Sequence, residues 1–599
     1  MFMIKFKRKG KIFCGINETV AKKLRKSHSV RKTLSIILSA VLILVLMPQK
    51  VFGIDDYVEE NGNWTIYTAQ GLVAFRDAVN EGNTFIGKTV ALDADIDLSG
   101  ISWVPIGIYI YNNTSKLFKG TFDGGNHIIS NLHLDVSKSY TGLFSYIYES
   151  TVKNLTLNNV TCTEGTNEYI GGICGYSNRS TVSNCVVNGD ITGGNNVGGI
   201  CGYSDCSAIS NCVINGSITG DNNVGGICGY MYGNDSTISD CLVKGTVKGN
   251  DNVGGTCGYF YDGNISSCIV SDSIISGKEK VGGICGETYE SAGKISRCAI
   301  RKTTISATNL IGGICGKLYG VYIEECFSNA DISGQIGVGG ICGGVSFGSS
   351  GKWSGINDCY FTGTLNGESE IGGIVGTSLY SSFDDHISNC YSTGTLIGAG
   401  HIYNGTLLCY VGGIIGYDIS CRCRNCVCLS PPEGIRGTGN PDADVIAYTS
   451  AEYQDNRPAS QVPGSPASKG NDSNCFYRDD LGEPPGIGQD GEAFQLTPGW
   501  QQRFIDLGWD QEIWEIPTTD LSLPDYSIAA LPTLKKMTAD QHPLLPHVND
   551  FYYLCKAEDI NLLPADIPRV DLGDGYFRLW LNEDFYDYKK GTPLKVVDP

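Results

Sequence analysis

Four sets of residues have types and spacings that chemistry could use. Gly344-Val-Ser346-Phe-Gly348 fits the G-x-S-x-G nucleophile elbow, in which a serine stands on a sharp turn between a strand and a helix. Asp93, Asp95 and Asp97 alternate like the first half of a calcium loop, although Leu98 and Val104 stand where that loop needs Gly and Glu. Cys421, Cys423, Cys426 and Cys428 are close enough in sequence to hold zinc or to pair. Tyr176, Tyr203, Tyr230 and Tyr259 recur at near-constant intervals, and aromatic rings at equivalent places of stacked repeats would form a strip suited to the faces of sugar rings. Two other chemistries are missing from the sequence. None of the 7 histidines opens H-E-x-x-H, and the glycine-rich segments lack the Lys-Ser/Thr of a phosphate loop.

Each set also has a plainer explanation. In a chain with 79 glycines, a G-x-S-x-G match arises readily by chance. The three aspartates read as the outer face of a strand, and Cys426 belongs to a repeating cysteine column whose end the other three would occupy. The tyrosines also read as a stacked ladder that stabilises a corner. On this weighing no catalytic residue, metal site or cofactor is assigned, the chain is expected not to be an enzyme, and the tyrosine strip is the best candidate for binding.

What positions these residues is a repeated phrase, Val-Gly-Gly-Ile-Cys-Gly, as at Val197 to Gly202. Its first glycines are Gly171, Gly198, Gly225, Gly254, Gly282, Gly312, Gly339, Gly372 and Gly412, at spacings of 27, 27, 29, 28, 30, 27, 33 and 40. A period in the high twenties marks a solenoid, in which each repeat is one turn that buries its apolar face against its neighbours. The expected fold is all-β, a right-handed parallel β-helix or β-solenoid with an N-terminal capping section and an irregular C-terminal cap. Each tyrosine of the strip directly follows a phrase. At about 4.8 Å per turn, the rod is expected to be about 50 to 60 Å long.

The 25 cysteines follow the same grammar. One slot lies inside the phrase, at Cys174, Cys201, Cys228, Cys257, Cys285, Cys315 and Cys342, and passes to Val375 and Ile415 in the last two copies. The other follows 11 to 17 residues later, at Cys185, Cys212, Cys241, Cys268, Cys298, Cys326, Cys359, Cys390 and Cys426. A slot that accepts Val and Ile is a small buried hydrophobe, so stacked free thiols are the main expectation. Within one repeat, GGICGY reads as a short strand and SAISNCVINGSITG as two more. Cys212, Ile214 and Ile218 share a parity that would line one interior face.

Residues 1–53 read as a bacterial signal peptide, with basic residues ahead of the apolar run Leu34 to Met47 and a small residue, Gly53, where cleavage would fall. Of the 44 basic and 63 acidic residues, 12 basic and one acidic lie before residue 54, which leaves 32 against 62. So acidic a chain is a poor partner for nucleic acid or anionic membrane, and no stable membrane span is expected after signal removal. Residues 54–165 would form the N-terminal cap and first coils, with a helix at Thr68 to Val79 that Thr68 caps and a strand at Val90 to Leu98. The solenoid proper would run over 166–430, followed by a Pro/Gly/Ser-rich loop or linker at 431–472. A last coil and C-terminal cap would occupy 473–545, before an acidic, aromatic tail at 546–599.

The phrases, with Asp95-Ile-Asp97-Leu98, Trp103-Val-Pro105-Ile-Gly107 and Phe118-Lys-Gly120-Thr-Phe122-Asp123-Gly124 ahead of them, resemble bacterial surface proteins built from GLUG repeats over about residues 64 to 430. The resemblance implies a β-solenoid on an exported protein, sometimes attached to a peptidase or adhesin, and no activity for the repeats themselves. The chain departs from the usual motif in its cysteine-rich fourth position. The function expected is a secreted or surface scaffold that binds an extracellular glycan or protein. The alternative is a carbohydrate-active β-helix enzyme, which would need carboxylates stacked on one flank. The polar slot that reads Asp190, Ser217, Thr246 has no recurring acid.

Overall fold

The protein is described from a computed structural model, which covers residues 56–163, 165–289, 293–346, 354–379, 386–403, 406–418, 422–430 and 501–517, with shorter pieces between 434 and 595. The chain divides into Met1–Asp55 and Asp56–Pro599. The export segment expected at residues 1–53 lies outside the described residues, as do 431–433, 438–443, 448–449 and 453–472 of the expected loop.

From Phe144 to Glu452 the described residues of the second unit form a β-solenoid of about eleven turns, with strands stacked parallel and in register from turn to turn. One turn shows the plan: strands Asn222–Gly225, Cys228–Tyr232, Thr237–Ser239 and Leu242–Lys248. Val224 stacks between Val197 and Val253, Cys228 between Cys201 and Cys257, Ile238 between Ile209 and Ile265, and Val243 between Ile214 and Val270. These columns form one continuous dry interior. Cys212, Ile214 and Ile218 are all buried in it.

The phrase is not a single strand. Val224 and Gly225 end one strand, Gly226 and Ile227 turn, and Cys228 begins the next. Its glycines are required because neighbouring turns touch backbone to backbone there. A Cβ on Gly226 would lie 2.1 Å from the Gly255 carbonyl oxygen of the next turn, and one on Gly229 would lie 2.5 Å from the Asn196 carbonyl carbon of the previous turn. The corner just before the phrase places Asn196, Asn223 and Asn252 in the left-handed region, at φ 57, 56 and 56°. Asparagine tolerates that conformation best after glycine. Here its side chains also form a ladder, with Nδ2 of Asn252 donating to Oδ1 of Asn223 at 2.9 Å and Nδ2 of Asn223 to Oδ1 of Asn196 at 2.9 Å.

Both cysteine columns are interior, and the fifteen residues from Cys174 to Cys390 are free thiols. A valine would fill the same space; the thiol adds a weak donor. Cys201, Cys228 and Cys257 give their S–H to the carbonyls of Tyr203, Tyr230 and Tyr259 at 3.0, 3.2 and 3.3 Å. In the second column Cys212, Cys241 and Cys359 donate to the carbonyls of Ser210, Ser239 and Asn357 at 3.3, 3.2 and 3.1 Å. Burial pushes the Cys201, Cys257, Cys285 and Cys342 thiols well above the ordinary range, so they are poor nucleophiles and serve as packing.

At the N-terminal end, strand β1 (Tyr57–Glu60) runs antiparallel to β2 (Asn63–Ile66), and β2 is parallel to β3 (Thr89–Leu92). Helix α1 (Ala69–Glu81) starts where the Thr68 hydroxyl accepts from the Gly71 N–H at 3.1 Å and stops at Gly82, whose φ is 116°. Its buried Leu72, Phe75 and Val79 face the first turns. Phe75 lies 5.1 Å from Phe85, 5.5 Å from Phe118 and 5.8 Å from Phe122, so the helix closes that end of the interior with aromatic packing. Glu59 and Glu60 place charge on the outer strand, which discourages edge pairing.

Near the C-terminus, 501–517 and 531–537 lie along the side of the turns. The outward column Phe327, Tyr360, Tyr391 and Val427 packs against Phe504, Trp509, Trp514, Leu531 and Leu534. The Trp514 indole N–H donates to Asp358 at 2.9 Å, the Trp509 indole to the Asn425 carbonyl at 3.1 Å, and the Tyr391 hydroxyl to the Pro532 carbonyl at 2.8 Å.

Burial pushes the Asp358 carboxyl above its ordinary range, against the opposing hydrogen bonds from Trp514 and Asn389. A folded-state value above the unfolded one means that the protonated form is favoured by folding. This contribution is complete below about pH 4 and is lost as pH rises through the folded value. Asp358→Asn is therefore expected to raise the thermal midpoint at pH 7 and to give no gain near about pH 3.5, measured by tryptophan fluorescence melts across that range. An equal shift at both pH values would contradict it.

Candidate functional site: a tyrosine-lined flank

The residue two places beyond each phrase cysteine, and beyond Phe144, which takes the cysteine's place in the first turn, points out of the solenoid. There Tyr146, Tyr176, Tyr203, Tyr230 and Tyr259 occupy successive turns in register. Ring centroids lie 4.5, 4.7, 4.7 and 4.9 Å apart along this column, with interplanar angles of 5, 10, 5 and 24°. That spacing is the turn-to-turn repeat itself. Each inner ring thus spends both faces on its neighbours. What reaches solvent is a row of ring edges and hydroxyls, not the flat surface that sugar rings stack on.

The column is wider and longer than the four tyrosines singled out from sequence. Tyr109 stacks on Tyr146 at 5.5 Å and on Tyr140 at 4.4 Å, and Tyr140 stacks on Tyr169 at 4.8 Å. Two residues further out, a second column begins where the first nears its end. Tyr232, Tyr261, Tyr289 and Tyr319 follow at 5.1, 5.5 and 5.2 Å, and Tyr232 and Tyr289 are exposed. Aligning the second residue after each phrase tyrosine reveals this column: it reads Asn178, Asp205, Tyr232 and then tyrosines. Tyr140 and Tyr169 precede the phrase at the left-handed corner, with φ 61 and 63°, a place where asparagine is the usual occupant, so composition gave no signal.

The hydroxyls of this flank stay protonated. Burial, and then neighbouring phenols, push Tyr230 up to about 12; burial does the same to Tyr140, also about 12. Tyr176 is raised further by burial and by Asp205, whose Oδ2 accepts from its hydroxyl at 3.4 Å and from Asn178 Nδ2 at 2.7 Å. At neutral pH the flank is a row of neutral donors and acceptors. It cannot supply a phenolate base.

Beyond Tyr259 the same column continues as Glu287, Lys317, Gly344, Thr377 and Tyr417. Glu287 is 8% exposed, and its two oxygens accept from Lys280 Nζ at 2.8 Å and Lys317 Nζ at 3.2 Å. In the turn with the longest phrase spacing, the extra residues form the antiparallel pair His401–Tyr403 and Thr406–Gly412, which sets His401 Nδ1 2.7 Å from Glu368.

The other sets do not converge. Ser346 ends the strand Cys342–Ser346, in register with Tyr319 and Leu379. Asp95 holds the Ile128 N–H at 3.0 Å and His127 at 3.2 Å, while Asp97 holds Ser99 and the Asn131 amide. Hydrogen bonds, from the Ile128 backbone to Asp95 and from Asn131 to Asp97 first of all, lower both carboxyls. Cys421 lies outside the described residues; Cys423, Cys426 and Cys428 are buried in register with Ile387, under Cys390 and with Ser392. Among the described residues no group of three or more His, Cys, Asp or Glu is arranged to hold a metal, and no helix is long and apolar enough to cross a membrane.

No family model matches the chain. Over 161 residues, 24% of the chain, it is 33% identical to Halomucin of Haloquadratum walsbyi, and it spans 2% of the length of that relative. Among solved structures, a candidate immunoglobulin A1 protease from Bacteroides ovatus aligns with 45% of this chain and 77% of its own, at a TM-score of 0.33 and 18% identity. Neither likeness identifies a site. The β-solenoid therefore stands on its own register, and the functional reading stands on the flank.

Proposed function

We propose that the chain is an exported, non-catalytic scaffold that acts at or outside the bacterial cell surface and binds carbohydrate or protein ligands along its tyrosine flank. The observation that carries this reading is the unbroken outward column from Tyr146 to Tyr259, which repeats hydroxyls and ring edges at the spacing of the turns. A repeating row of neutral hydrogen-bonding groups suits a repeating or extended ligand. The leader-like residues 1–53 and the likeness of the phrases to GLUG-repeat proteins support export. A carbohydrate-active enzyme would need a stack of carboxylates, but the outward slot that starts at Asp190 runs through Ser217, Thr246, Ile274 and Thr304 before it reaches Asp331.

The test is binding of the full chain to a glycan array and to whole cells, with Tyr203→Ala/Tyr230→Ala alongside. The double variant removes two central rings while the interior beneath them is untouched, and its binding is expected to fall at least about tenfold, the loss of a few hydrogen bonds and aromatic contacts. Unchanged binding in the double variant would sink the assignment to this flank.

A further inference from the structure

The tyrosine column ends at a charge cluster, and that cluster has one more cation than its own neutrality requires. Glu287 takes the outward position that Tyr259 holds one turn earlier, and Lys317 takes it one turn later. Lys280 stands at the left-handed corner of the same turn as Glu287, with φ 55°, where earlier turns carry asparagine. One lysine would neutralise the buried carboxylate. Here each of its oxygens has its own: Lys280 on Oε2 at 2.8 Å and Lys317 on Oε1 at 3.2 Å. The lysine side chains are 27% and 26% exposed against 10% for the glutamate, so the carboxylate is the more deeply buried partner and the lysines are the part of the cluster that solvent reaches. An ammonium has three donors, and one each is spent on Glu287. The triad of Lys280, Glu287 and Lys317 carries a net charge of +1 on a chain whose total is −19.

The surroundings say what a ligand would meet. The exposed ring of Tyr289 and the ring of Tyr319 lie in the adjoining column, stacked at 5.2 Å, and Tyr259 lies in the preceding turn. The main chain offers little to a peptide here, because the strands of this flank are hydrogen-bonded to the turns before and after them, so an extended peptide finds no free ladder to join. Side-chain ammonium and hydroxyl groups in a row are what is presented. They match a chain that carries its own anions and hydroxyls.

We infer that Lys280 and Lys317, held by Glu287 between the tyrosine columns, form a binding site for the anionic groups of an acidic polysaccharide. This inference rests on the proposed binding role of the flank and adds the ligand class. A cation fixed on a buried carboxylate loses less side-chain entropy on binding than a free surface lysine, which is the advantage of building the site this way. The ion pairs with the ligand are solvent-facing, so binding weakens as salt rises.

The experiment uses the full chain and four immobilised probes: polygalacturonate, dextran sulfate, uncharged dextran and poly-glutamate. Removing one lysine would leave Glu287 buried and under-paired, so the main variant is the neutral replacement Lys280→Gln/Glu287→Gln/Lys317→Gln, with Glu287→Gln as the second. Wild type is expected to bind polygalacturonate or dextran sulfate at low salt, with affinity falling as salt is raised, to ignore dextran, and to bind poly-glutamate more weakly than the polysaccharides. The triple variant is expected to lose at least about tenfold, the loss of two cationic contacts. Glu287→Gln, which keeps both cations but removes the carboxylate that fixes them, is expected to bind more tightly than the triple variant and more weakly than wild type. Equal binding by the triple variant, or no retention of either polyanion by wild type, would overturn the inference. So would poly-glutamate binding as tight as that of the polysaccharides. If wild type instead binds neutral glycans or a protein in a manner that Tyr203→Ala/Tyr230→Ala abolishes, the scaffold reading stands and the acidic-ligand assignment alone falls.

Discussion

Gly226→Ala is expected to lower stability by about 3 kcal/mol or more, the upper end of what forced overpacking costs. The added methyl would lie 2.1 Å from the Gly255 carbonyl oxygen and 2.7 Å from the nearest Val243 side-chain carbon, so it meets both backbone and core. Nothing in the first contact can rotate away. The turns at 226 and 255 would have to separate, which breaks the register of every strand that links them. With an unfolding entropy of about 2.1 cal/mol/K per residue, a unit of several hundred residues shifts by about 1–2 °C per kcal/mol, so the thermal midpoint should drop by about 3–6 °C. Gly344→Ala is the control, because its nearest neighbour is the end of the Leu310 side chain at 2.8 Å, which can move. If circular-dichroism melts gave both variants the same midpoint, backbone contact at the phrase would not be what demands its glycines.

Trp514→Ala is expected to free the C-terminal segment from the flank. Trp514 is fully buried among Trp509, Tyr360 and Tyr391, at 4.6, 6.3 and 6.0 Å, and truncating such a ring typically costs about 3–5 kcal/mol. The change also takes the indole N–H from Asp358, a carboxyl that burial already penalises. Because the segment is attached by side-chain packing and not by the interior ladders, the loss should be local. Limited proteolysis is expected to cut within 501–537 more than tenfold faster than in wild type, at the roughly 3 kcal/mol scale of the lost packing. The 144–430 turns should keep their far-ultraviolet signal. Trp514→Phe retains most of the apolar volume without the donor, and should fall between the two. Protection equal to wild type in Trp514→Ala would show that the segment is held elsewhere.

The repeat was legible from the sequence because a solenoid writes its geometry into the chain. Every turn has the same backbone contact, so every turn carries the same glycines. Cys174 through Cys342 were readable as interior because Val375 and Ile415 share their slot. The Thr68 cap and the apolar spacing of Leu72, Phe75 and Val79 likewise announced α1. Reading GGICGY as one strand missed the turn at Gly226 and Ile227, since a run of small and apolar residues does not reveal where a backbone bends.

Sequence spacing by itself determined the β-solenoid, its two thiol columns and the alignment of Tyr176, Tyr203, Tyr230 and Tyr259 on one flank. Equal spacing in a stacked fold forces equal placement, turn upon turn. Only the tertiary structure decided which way those rings face: the repeat of the turns matches the centroid spacing of a stacked aromatic pair, so the tyrosines close on one another and offer edges where faces were expected. It also joined residues that no period connects. Lys280, Glu287 and Lys317 meet because a corner, a strand and the next turn converge there, and the C-terminal tryptophans reach Asp358 and Asn425 across 156 and 84 residues of sequence. Periodicity records contacts between like positions; contacts between unlike ones exist only once the chain has been wound.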